Sequence, residues 1–419
     1  MDYQETLDYL YSQLPMYQRI GKAAYKADLD NTIALCRLLG NPERSFKSIH
    51  IAGTNGKGST AHYLASIMQE YGLKTGLYTS PHLVDFRERI RIDDKKVPEE
   101  FVIDFVNNHR ESFREIQPSF FEMTAGMAFA YFGSEKVDIA IIETGMGGRL
   151  DSTNVIRPEI SVITNIGYDH MQFLGNTLEK IAREKAAIIK RGIPVVIGEK
   201  QENVKDIFIE KARGLGSDII FAVDDWLFAN ELMKDLESGP PVEYQKKNIA
   251  TALVVIRIFN SQGNSIRPDQ MKKGIEKVAE NTGLMGRWQI IARQPLIICD
   301  VGHNYDGLMS TMQQLDGLSY DNLHFVFGSV NDKELGPVFR LLPGDAQYYF
   351  CKPDIPRGLD QHELELKARK SGLSGQAYDS VMEAYGHAVD AADEGDLIFV
   401  GGSTFVVADL LAGIDIIPR

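Results

Sequence analysis

The segment Gly53-Thr54-Asn55-Gly56-Lys57-Gly58-Ser59-Thr60 has the residue types of a loop that binds phosphate. It follows the apolar run 48–52 and opens a stretch with helical periodicity. Backbone N–H groups at the start of a helix attract anions, and the Lys57 amine adds positive charge. The strict P-loop pattern would need glycine at Ile51 and a hydroxyl residue directly after Lys57, so this loop departs from it. A glycine turn that merely joins strand to helix is the structural alternative.

A carboxylate and a histidine follow two other apolar runs. Glu143 comes directly after 139–142, and the glycine-rich segment 144–148 that follows offers nothing to neutralise a buried charge. A metal ion would neutralise it, whereas a structural carboxylate would cap the next turn. His170 stands shortly after the run 160–164, and a histidine there is often an ordinary loop residue.

All three features stand at the ends of predicted strands. Ligands of open parallel sheets bind outside the carboxyl ends of the strands. We therefore expect the phosphate loop, Glu143 and His170 to form one site, because unrelated loop residues would rarely share this position.

The elements that must position these residues are repeated strand, turn and helix units, which predict an α/β fold with parallel sheets covered by helices. Continuous apolar runs are typical of strands buried on both faces. Helical periodicity ends in glycines within 281–288, so we predict domains 1–286 and 287–419. The predicted strands are 48–52, 139–142, 160–164, 195–198, 296–299, 324–327 and 397–400.

Lys185 falls within the apolar stripe of a predicted helix. Asn176 is its expected N-cap, and 190–192 its expected end. An inward lysine can extend its amine to solvent or form a buried ion pair. Alternatively, desolvation lowers the amine pKa, so that neutral lysine captures carbon dioxide as a carbamate.

The overall charge narrows the classes of partner. The 58 acidic and 45 basic residues give a net charge of -13, which argues against a nucleic acid or an anionic membrane surface. Three separated cysteines form neither a disulfide framework nor a C-x-x-C pair, which favours a reducing compartment. The N-terminal residues show no signal-peptide pattern, and a cytoplasmic protein is expected.

Several motifs in this order resemble the folylpolyglutamate synthase/dihydrofolate synthase branch of the Mur ligase superfamily. The resemblance extends from about residue 48 to about residue 411. The matching segments are 52–60, 79–83, 86–90, 120–122, 147–154, 163–171, 181–185, 300–304 and 402–403.

The resemblance implies an N-terminal P-loop-type Mur ligase ATPase domain and a smaller Rossmann-like C-terminal domain, with ATP between them. It implies that ATP phosphorylates a carboxylate and that the amine of L-glutamate attacks the acyl phosphate. The acceptor would be dihydropteroate or a reduced folate, and the protein would be a monomer.

Site residues follow from the same resemblance. Lys57, Glu143, His170 and Lys185 would be catalytic, and Lys185 would be carbamylated. Mg²⁺ would be held by Ser80, Glu143 and His170, although magnesium prefers oxygen ligands. Beside the phosphate loop, ATP would contact Asn248, Arg287, Asp300 and His303. The acceptor would contact Leu14, Pro15, Ser119, Phe120, Phe121, Glu122, Leu150, Asp151 and Ser152, with Phe120 and Phe121 serving otherwise as core aromatics.

Two other functions are compatible with parts of the pattern. A cell-wall precursor ligase of the same superfamily would need a nucleotide-sugar domain, but only about 47 residues precede the first predicted strand. A non-catalytic ATP-binding regulator would not need Lys57, Glu143 and Lys185 together.

Overall fold

A computed structural model describes residues 1–13, 28–237, 241–331 and 333–414. The chain forms two compact units. Unit 1 comprises Met1–His82 and Phe86–Gly283, and unit 2 comprises Leu83–Asp85 and Leu284–Arg419. The third crossing between units follows Gly283, whereas the sequence predicted a boundary after residue 286. The sequence offered no indication that Leu83–Asp85 belongs to unit 2.

Unit 1 is built on an eight-stranded sheet in the order β4-β3-β2-β5-β1-β6-β7-β8. The pairs β2–β3 and β3–β4 are antiparallel, and the other pairs are parallel. The strands are β1 (Lys47–Ala52), β2 (Thr75–Tyr78), β3 (Ile90–Ile92), β4 (Lys95–Lys96), β5 (Ile139–Glu143), β6 (Ile160–Ile163), β7 (Val195–Ile197) and β8 (Ile219–Phe221).

Helices cover both faces of this sheet. They are α1 (Tyr3–Gln13), α2 (Asp30–Leu38), α3 (Lys57–Tyr71), α4 (Glu99–Ile116), α5 (Phe120–Ser134), α6 (Met171–Leu174), α7 (Leu178–Ala186), α8 (Lys205–Leu215), α9 (Trp226–Lys234), α10 (Glu243–Ser261), α11 (Pro268–Glu276) and α12 (Val278–Thr282).

The central strand β5 shows why its run is continuously apolar. Ile139 and Ile141 pack into the core that contains α3 and α10, whereas Ala140 and Ile142 pack into the core that contains α5. Successive side chains point to opposite faces of a sheet, so burial of both faces requires apolar residues at every position.

Unit 2 is a six-stranded sheet in the order β13-β12-β11-β14-β10-β9, with only β9–β10 antiparallel among the described pairs. Its strands are β9 (Gln289–Arg293), β10 (Leu296–Cys299), β11 (Leu323–Gly328), β12 (Gln347–Cys351), β13 (Gly375–Tyr378) and β14 (Leu397–Gly401). Its helices are α13 (Tyr305–Leu315), α14 (Leu335–Phe339), α15 (Gln361–Lys370), α16 (Val381–Ala391) and α17 (Thr404–Gly413).

The seven predicted strands correspond to β1, β5, β6, β7, β10, β11 and β14, and the α/β fold with mostly parallel sheets is confirmed. The prediction omitted β2, β3, β4, β8, β9, β12 and β13. Most of these are short or lie towards a sheet edge, where partly exposed side chains do not form a long apolar run.

No helix in the described ranges has the length and apolar character needed to span a membrane.

Candidate active site

Three neighbouring strands bring the predicted catalytic segments to one edge of the unit 1 sheet. Strand β1 lies between β5 and β6, with Ile51 paired to Glu143 and Ala52 paired to Ile163. All three strands are parallel, so their carboxyl ends coincide. The phosphate loop after β1 therefore lies between the loops that follow β5 and β6.

The phosphate loop is anchored to the loop after β6. Backbone N–H groups of Thr54 and Asn55 donate to the carbonyl and side-chain oxygens of Asn165, both at 2.9 Å. The Thr164 hydroxyl donates to the Asn55 carbonyl at 2.6 Å. A Cβ atom at Gly53 would lie 1.8 Å from the Thr164 hydroxyl oxygen, so only glycine fits here. These contacts hold the loop against the segment that follows β6.

The loop turns into α3 at Gly56, whose φ of 79° is in the left-handed region that favours glycine. A Cβ atom at Gly56 would lie 2.2 Å from the Asn248 side-chain oxygen. Asn248 is on α10, where its amide donates to Gln245 at 3.0 Å. The structure thus brings Asn248 beside the phosphate loop, as the predicted ATP contact requires.

Lys57 is the first residue of α3 and is half-buried. Its amine donates to the Thr54 carbonyl at 3.2 Å, which keeps the positive charge over the loop. Gly58 is also half-buried, and Ser59 and Thr60 are buried within the first turn of α3. The helix start therefore presents both a cation and backbone donors to an anion.

Glu143 is 3% exposed at the end of β5. Its Oε2 accepts a hydrogen bond of 3.0 Å from the Ser80 backbone N–H. The structure thereby brings two predicted metal ligands together, and both carry oxygen donors, which suit magnesium. Within the described ranges, no group of three His, Cys, Asp or Glu side chains could hold a metal alone. A magnesium ion bound by one carboxylate would complete its coordination with water and phosphate oxygens.

His170 lies on the loop after β6, with a left-handed φ of 49° directly before α6. Its Nε2 is 3.9 Å from Asp169 Oδ2, and its backbone N–H donates to Asp169 Oδ1 at 2.9 Å. The histidine is thus on the loop that anchors the phosphate loop, next to the Asp169 carboxylate, which is not among the predicted site residues.

Lys185 is 4% exposed and reaches the phosphate loop. Its amine donates to the Gly53 carbonyl at 2.7 Å. Burial, together with the charge of Lys57, lowers the pKa of Lys185 to about 7. The lysine is therefore held inward by a backbone carbonyl, and a large part of it is neutral near pH 7.

Two predicted boundaries of the helix that carries Lys185 are wrong. Thr177, not Asn176, is the N-cap, because its hydroxyl accepts from the Lys180 N–H at 3.3 Å. The helix ends at Ala186 rather than near residues 190–192. Hydrogen bonds from Ile188 and Ile189 to carbonyls three residues earlier tighten the chain into a turn there.

The loop after β5 is shaped by Asp151, which is buried beside half-buried Leu150 and buried Ser152. Its Oδ2 accepts from the Met146 N–H at 2.9 Å, and its Oδ1 accepts from the Thr153 N–H and hydroxyl at 3.0 and 2.5 Å. Burial raises the pKa of this carboxyl. Asp151 therefore holds together the loop that begins at the candidate metal site.

His50 extends this network into the core and was missed from the sequence, where it interrupts an apolar strand. It is fully buried, and its Nε2 lies 2.8 Å from the Thr153 hydroxyl oxygen. Because that hydroxyl donates to Asp151, the histidine is the donor in this contact. Burial, and to a lesser extent the charge of Lys190, lowers the pKa of His50 to about 3.

Acidification is therefore expected to destabilise the protein through His50. The unfolded chain binds a proton near pH 6.5 and the folded chain only near pH 3, so the free energy of unfolding falls as pH drops through this window. The full contribution is on the order of 5 kcal/mol. Urea titrations of wild type and His50→Asn between pH 3 and 7 should give a flatter pH dependence for the variant. Parallel curves would contradict this assignment.

The predicted acceptor segment at the start of α5 is occupied largely by structural contacts. Ser119 and Glu122 form a capping box, in which Glu122 accepts from the Ser119 N–H at 2.6 Å. Phe120 is 3% exposed and packs against Tyr11, with ring centroids 5.6 Å apart. The Phe120 ring thus packs in the core, and its contact with the acceptor stays a prediction. Phe121 is only partly buried, so it is the aromatic that remains accessible.

The remaining predicted residues belong to unit 2 or fall outside the described residues. Leu14 and Pro15 fall outside the described residues. Arg287 is half-buried in unit 2. Asp300 follows β10, and its carboxylate accepts from the backbone N–H groups of Trp288 and Gly302, both at 2.8 Å. His303 is in the same turn, with Nδ1 3.1 Å from the Val301 carbonyl oxygen.

Comparisons with known proteins agree with this arrangement. Residues 51–224 match the Mur ligase middle domain, and residues 286–404 match the Mur ligase glutamate ligase domain. The folylpolyglutamate synthase of Lacticaseibacillus casei is 33% identical, over 88% of this chain and 91% of the relative.

Solved structures superpose over nearly the full length. E. coli FolC in complex with DHPP and ADP has a TM-score of 0.85 and 27% identity, covering 99% of this chain and 98% of that chain. A bifunctional folylpolyglutamate synthase/dihydrofolate synthase with Mn, AMPPNP and L-glutamate bound has a TM-score of 0.82 and 26% identity, over 99% and 98%. The chain therefore belongs to the folylpolyglutamate synthase/dihydrofolate synthase family of the Mur ligases.

Proposed function

We propose that this protein is an ATP- and magnesium-dependent ligase that joins L-glutamate to the carboxylate of a folate-type acceptor. The observation that carries the proposal is the phosphate loop with Lys57, held between the Glu143 loop and the His170 loop at one sheet edge. Relatives with this fold are named for the same activity and bind ADP or AMPPNP, Mn and L-glutamate.

The chemistry requires activation of the acceptor because oxide is too poor a leaving group for direct amide formation. Lys57 and the backbone donors of the loop would hold the ATP phosphates. Ser80, Glu143 and His170 would hold the magnesium, which supplies charge neutralisation at the transferring phosphate. The acceptor carboxylate takes the phosphoryl group, and the glutamate amine then displaces phosphate from the acyl carbon.

The accepted substrate is open between dihydropteroate and reduced folates. The purified protein with ATP, magnesium and glutamate should be offered dihydropteroate and tetrahydrofolate in separate reactions, with products resolved by mass. A product heavier by one glutamate unit, dependent on ATP, supports the proposal. ATP binding without product from either acceptor would favour the regulator, and product only with a nucleotide-linked peptide would favour the cell-wall ligase.

We also propose that Lys185 carries a carbamate in the active enzyme. The neutral amine attacks carbon dioxide, a C–N bond forms, and one proton leaves the nitrogen for solvent. Two observations support the carbamate. The Lys185 amine is buried beside the Gly53 carbonyl, and its pKa is lowered to about 7, which favours the neutral form. The carbamate would give this position a negative charge next to the phosphate loop.

Loss of this group should reduce activity by roughly ten- to a hundredfold in Lys185→Ala, as for other residues that support a metal site. Acetate or formate should restore part of the rate. With ¹³C-labelled carbon dioxide, wild type should show a carbamate NMR signal that Lys185→Ala lacks and Lys190→Ala retains. Lys190 is a matched control because burial also lowers its pKa, to about 8. A signal that survives in Lys185→Ala would overturn the assignment.

Contacts of Arg287, Asp300 and His303 with ATP stay predictions.

We further propose that the protein acts in the cytoplasm as a monomer. Sedimentation of the purified chain at a mass near 46.9 kDa would support the monomer, and a mass of twice that value would contradict it.

A further inference from the structure

Arg89 is a buried cation with an incomplete set of partners. It is 3% exposed, directly before β3. Its Nε donates to His82 Nδ1 at 2.7 Å, and its guanidinium carbon lies 5.2 Å from the centroid of the Phe120 ring. In the described part of the chain, Arg89 forms no salt bridge and its Nε bond to His82 is its side-chain hydrogen bond. Its terminal amino groups are not among the buried polar atoms that lack a partner, so they are open to solvent rather than sealed in the core.

Such an arrangement leaves charged donors available to an anionic ligand. Guanidinium stays protonated in proteins, and the packed stem of Arg89 holds its solvent-open amino groups in place. Burial lowers the pKa of Arg89, while Tyr78, Tyr11, Glu88 and Glu143 raise it from a distance. None of these groups replaces a direct acceptor for the terminal amino groups.

Arg87, two residues earlier, shows what a structural arginine looks like in the same segment. Its guanidinium forms a salt bridge of 3.0 Å with Glu99 and lies 5.4 Å from the Tyr3 ring centroid. It is also more exposed than Arg89. Arg87 is thus paired with a carboxylate near the surface, whereas the terminal amino groups of Arg89 remain available to a ligand.

Arg89 lies close to the candidate active site. The backbone carbonyl of Arg89 accepts from the Thr79 N–H at 3.1 Å. Ser80, which follows Thr79, donates its backbone N–H to the Glu143 carboxylate. The charge of Glu143 acts on the guanidinium. An acceptor carboxylate that approaches Glu143 and the ATP phosphates would meet only negative charge unless a cation stood nearby.

We propose that Arg89 binds the reacting carboxylate of the folate-type acceptor through its terminal amino groups. The planar fork of donors matches the two oxygens of a carboxylate. This interaction offsets the repulsion from Glu143 and phosphate and orients the carboxylate for phosphorylation. The inference rests on the proposed function and adds to it the residue that recognises the reacting group.

The test measures the Kd of the acceptor that the enzyme uses, dihydropteroate or tetrahydrofolate, and the Kd of its analogue in which a carboxamide replaces the reacting carboxylate. Wild type should bind the carboxylate more tightly by on the order of tenfold or more. Arg89→Met should bind the two compounds with equal affinity. Arg89→Lys should keep part of the preference, because it retains the charge but loses the fork.

Arg87→Met is the matched control and should keep the wild-type ratio of affinities. Thermal unfolding and the Kd for ADP establish that each variant is folded. If Arg89→Met does not fold, the ratio in Arg89→Lys decides, and an unchanged ratio overturns the proposal. Equal loss of affinity for both compounds in Arg89→Met would also overturn it, since Arg89 would then contact another part of the acceptor. Absence of glutamylated product from wild type would instead refute the proposed function.

Discussion

Glutamate ligation is expected to fall by at least about a hundredfold when Lys57 is replaced by methionine. The amine lies over the phosphate loop, bonded to the Thr54 carbonyl at 3.2 Å. Negative charge on the transferring phosphate has no equivalent partner in this loop once the amine is removed. Methionine keeps the length and apolar stem of the side chain, so α3 should still form.

The measurement is the steady-state rate of product formation with saturating ATP, together with the affinity for ATP and the thermal midpoint. Lys47→Met is a suitable control, because Lys47 is exposed at the opposite end of the strand that leads into the loop. Both variants should unfold near the wild-type temperature, but only Lys57→Met should lose turnover. A folded Lys57→Met with a normal rate would refute the phosphate-loop assignment.

Substitution of Glu143 by glutamine should have a comparably large effect and should change the response to magnesium. The carboxylate is 3% exposed and is joined to the Ser80 backbone N–H. Glutamine can accept the same hydrogen bond but cannot offer a negative oxygen to a divalent cation. Loss of such charge stabilisation typically costs about 3 kcal/mol or more, which is over a hundredfold in rate.

Activity should be titrated with magnesium. We expect Glu143→Gln to bind the metal more weakly, so that its activity saturates only at a much higher magnesium concentration. Glu135→Gln is the control, since Glu135 is an exposed residue that pairs with Lys74 at 2.9 Å. Wild-type metal dependence in a folded Glu143→Gln protein would show that the metal is held elsewhere.

The catalytic edge was predictable because its elements carry strong local signals. Strands β1, β5 and β6 are buried on both faces and therefore read as continuous apolar runs. The phosphate loop and Glu143 stand at the carboxyl ends of β1 and β5, and His170 lies on the loop after β6, so the rule for parallel sheets predicted that these loops share one edge. That the three form one catalytic site stays a prediction. Short or polar strands such as β4 and β13 lack this signal and were missed.

Only the tertiary packing shows which side chains of segment 119–122 point into the core. The sequence shows two adjacent phenylalanines, but not which of them packs inward. The structure buries Phe120 against Tyr11 and leaves Phe121 partly accessible. By contrast, the capping box of Ser119 and Glu122 at the start of α5 is a local pattern that is visible in the sequence.

The α/β class, the phosphate-loop motif and the family could be recognised from contiguous segments of the chain. The partners of Asn248, Lys185, His50 and Arg89 became visible only in the folded chain. Most of these contacts join residues far apart in the chain, and such contacts leave no periodic trace in the sequence. Whether a polar group is buried with its hydrogen bonds satisfied depends on the packed neighbours, so Arg89 looks ordinary as a sequence letter and becomes a candidate binding residue only in the fold.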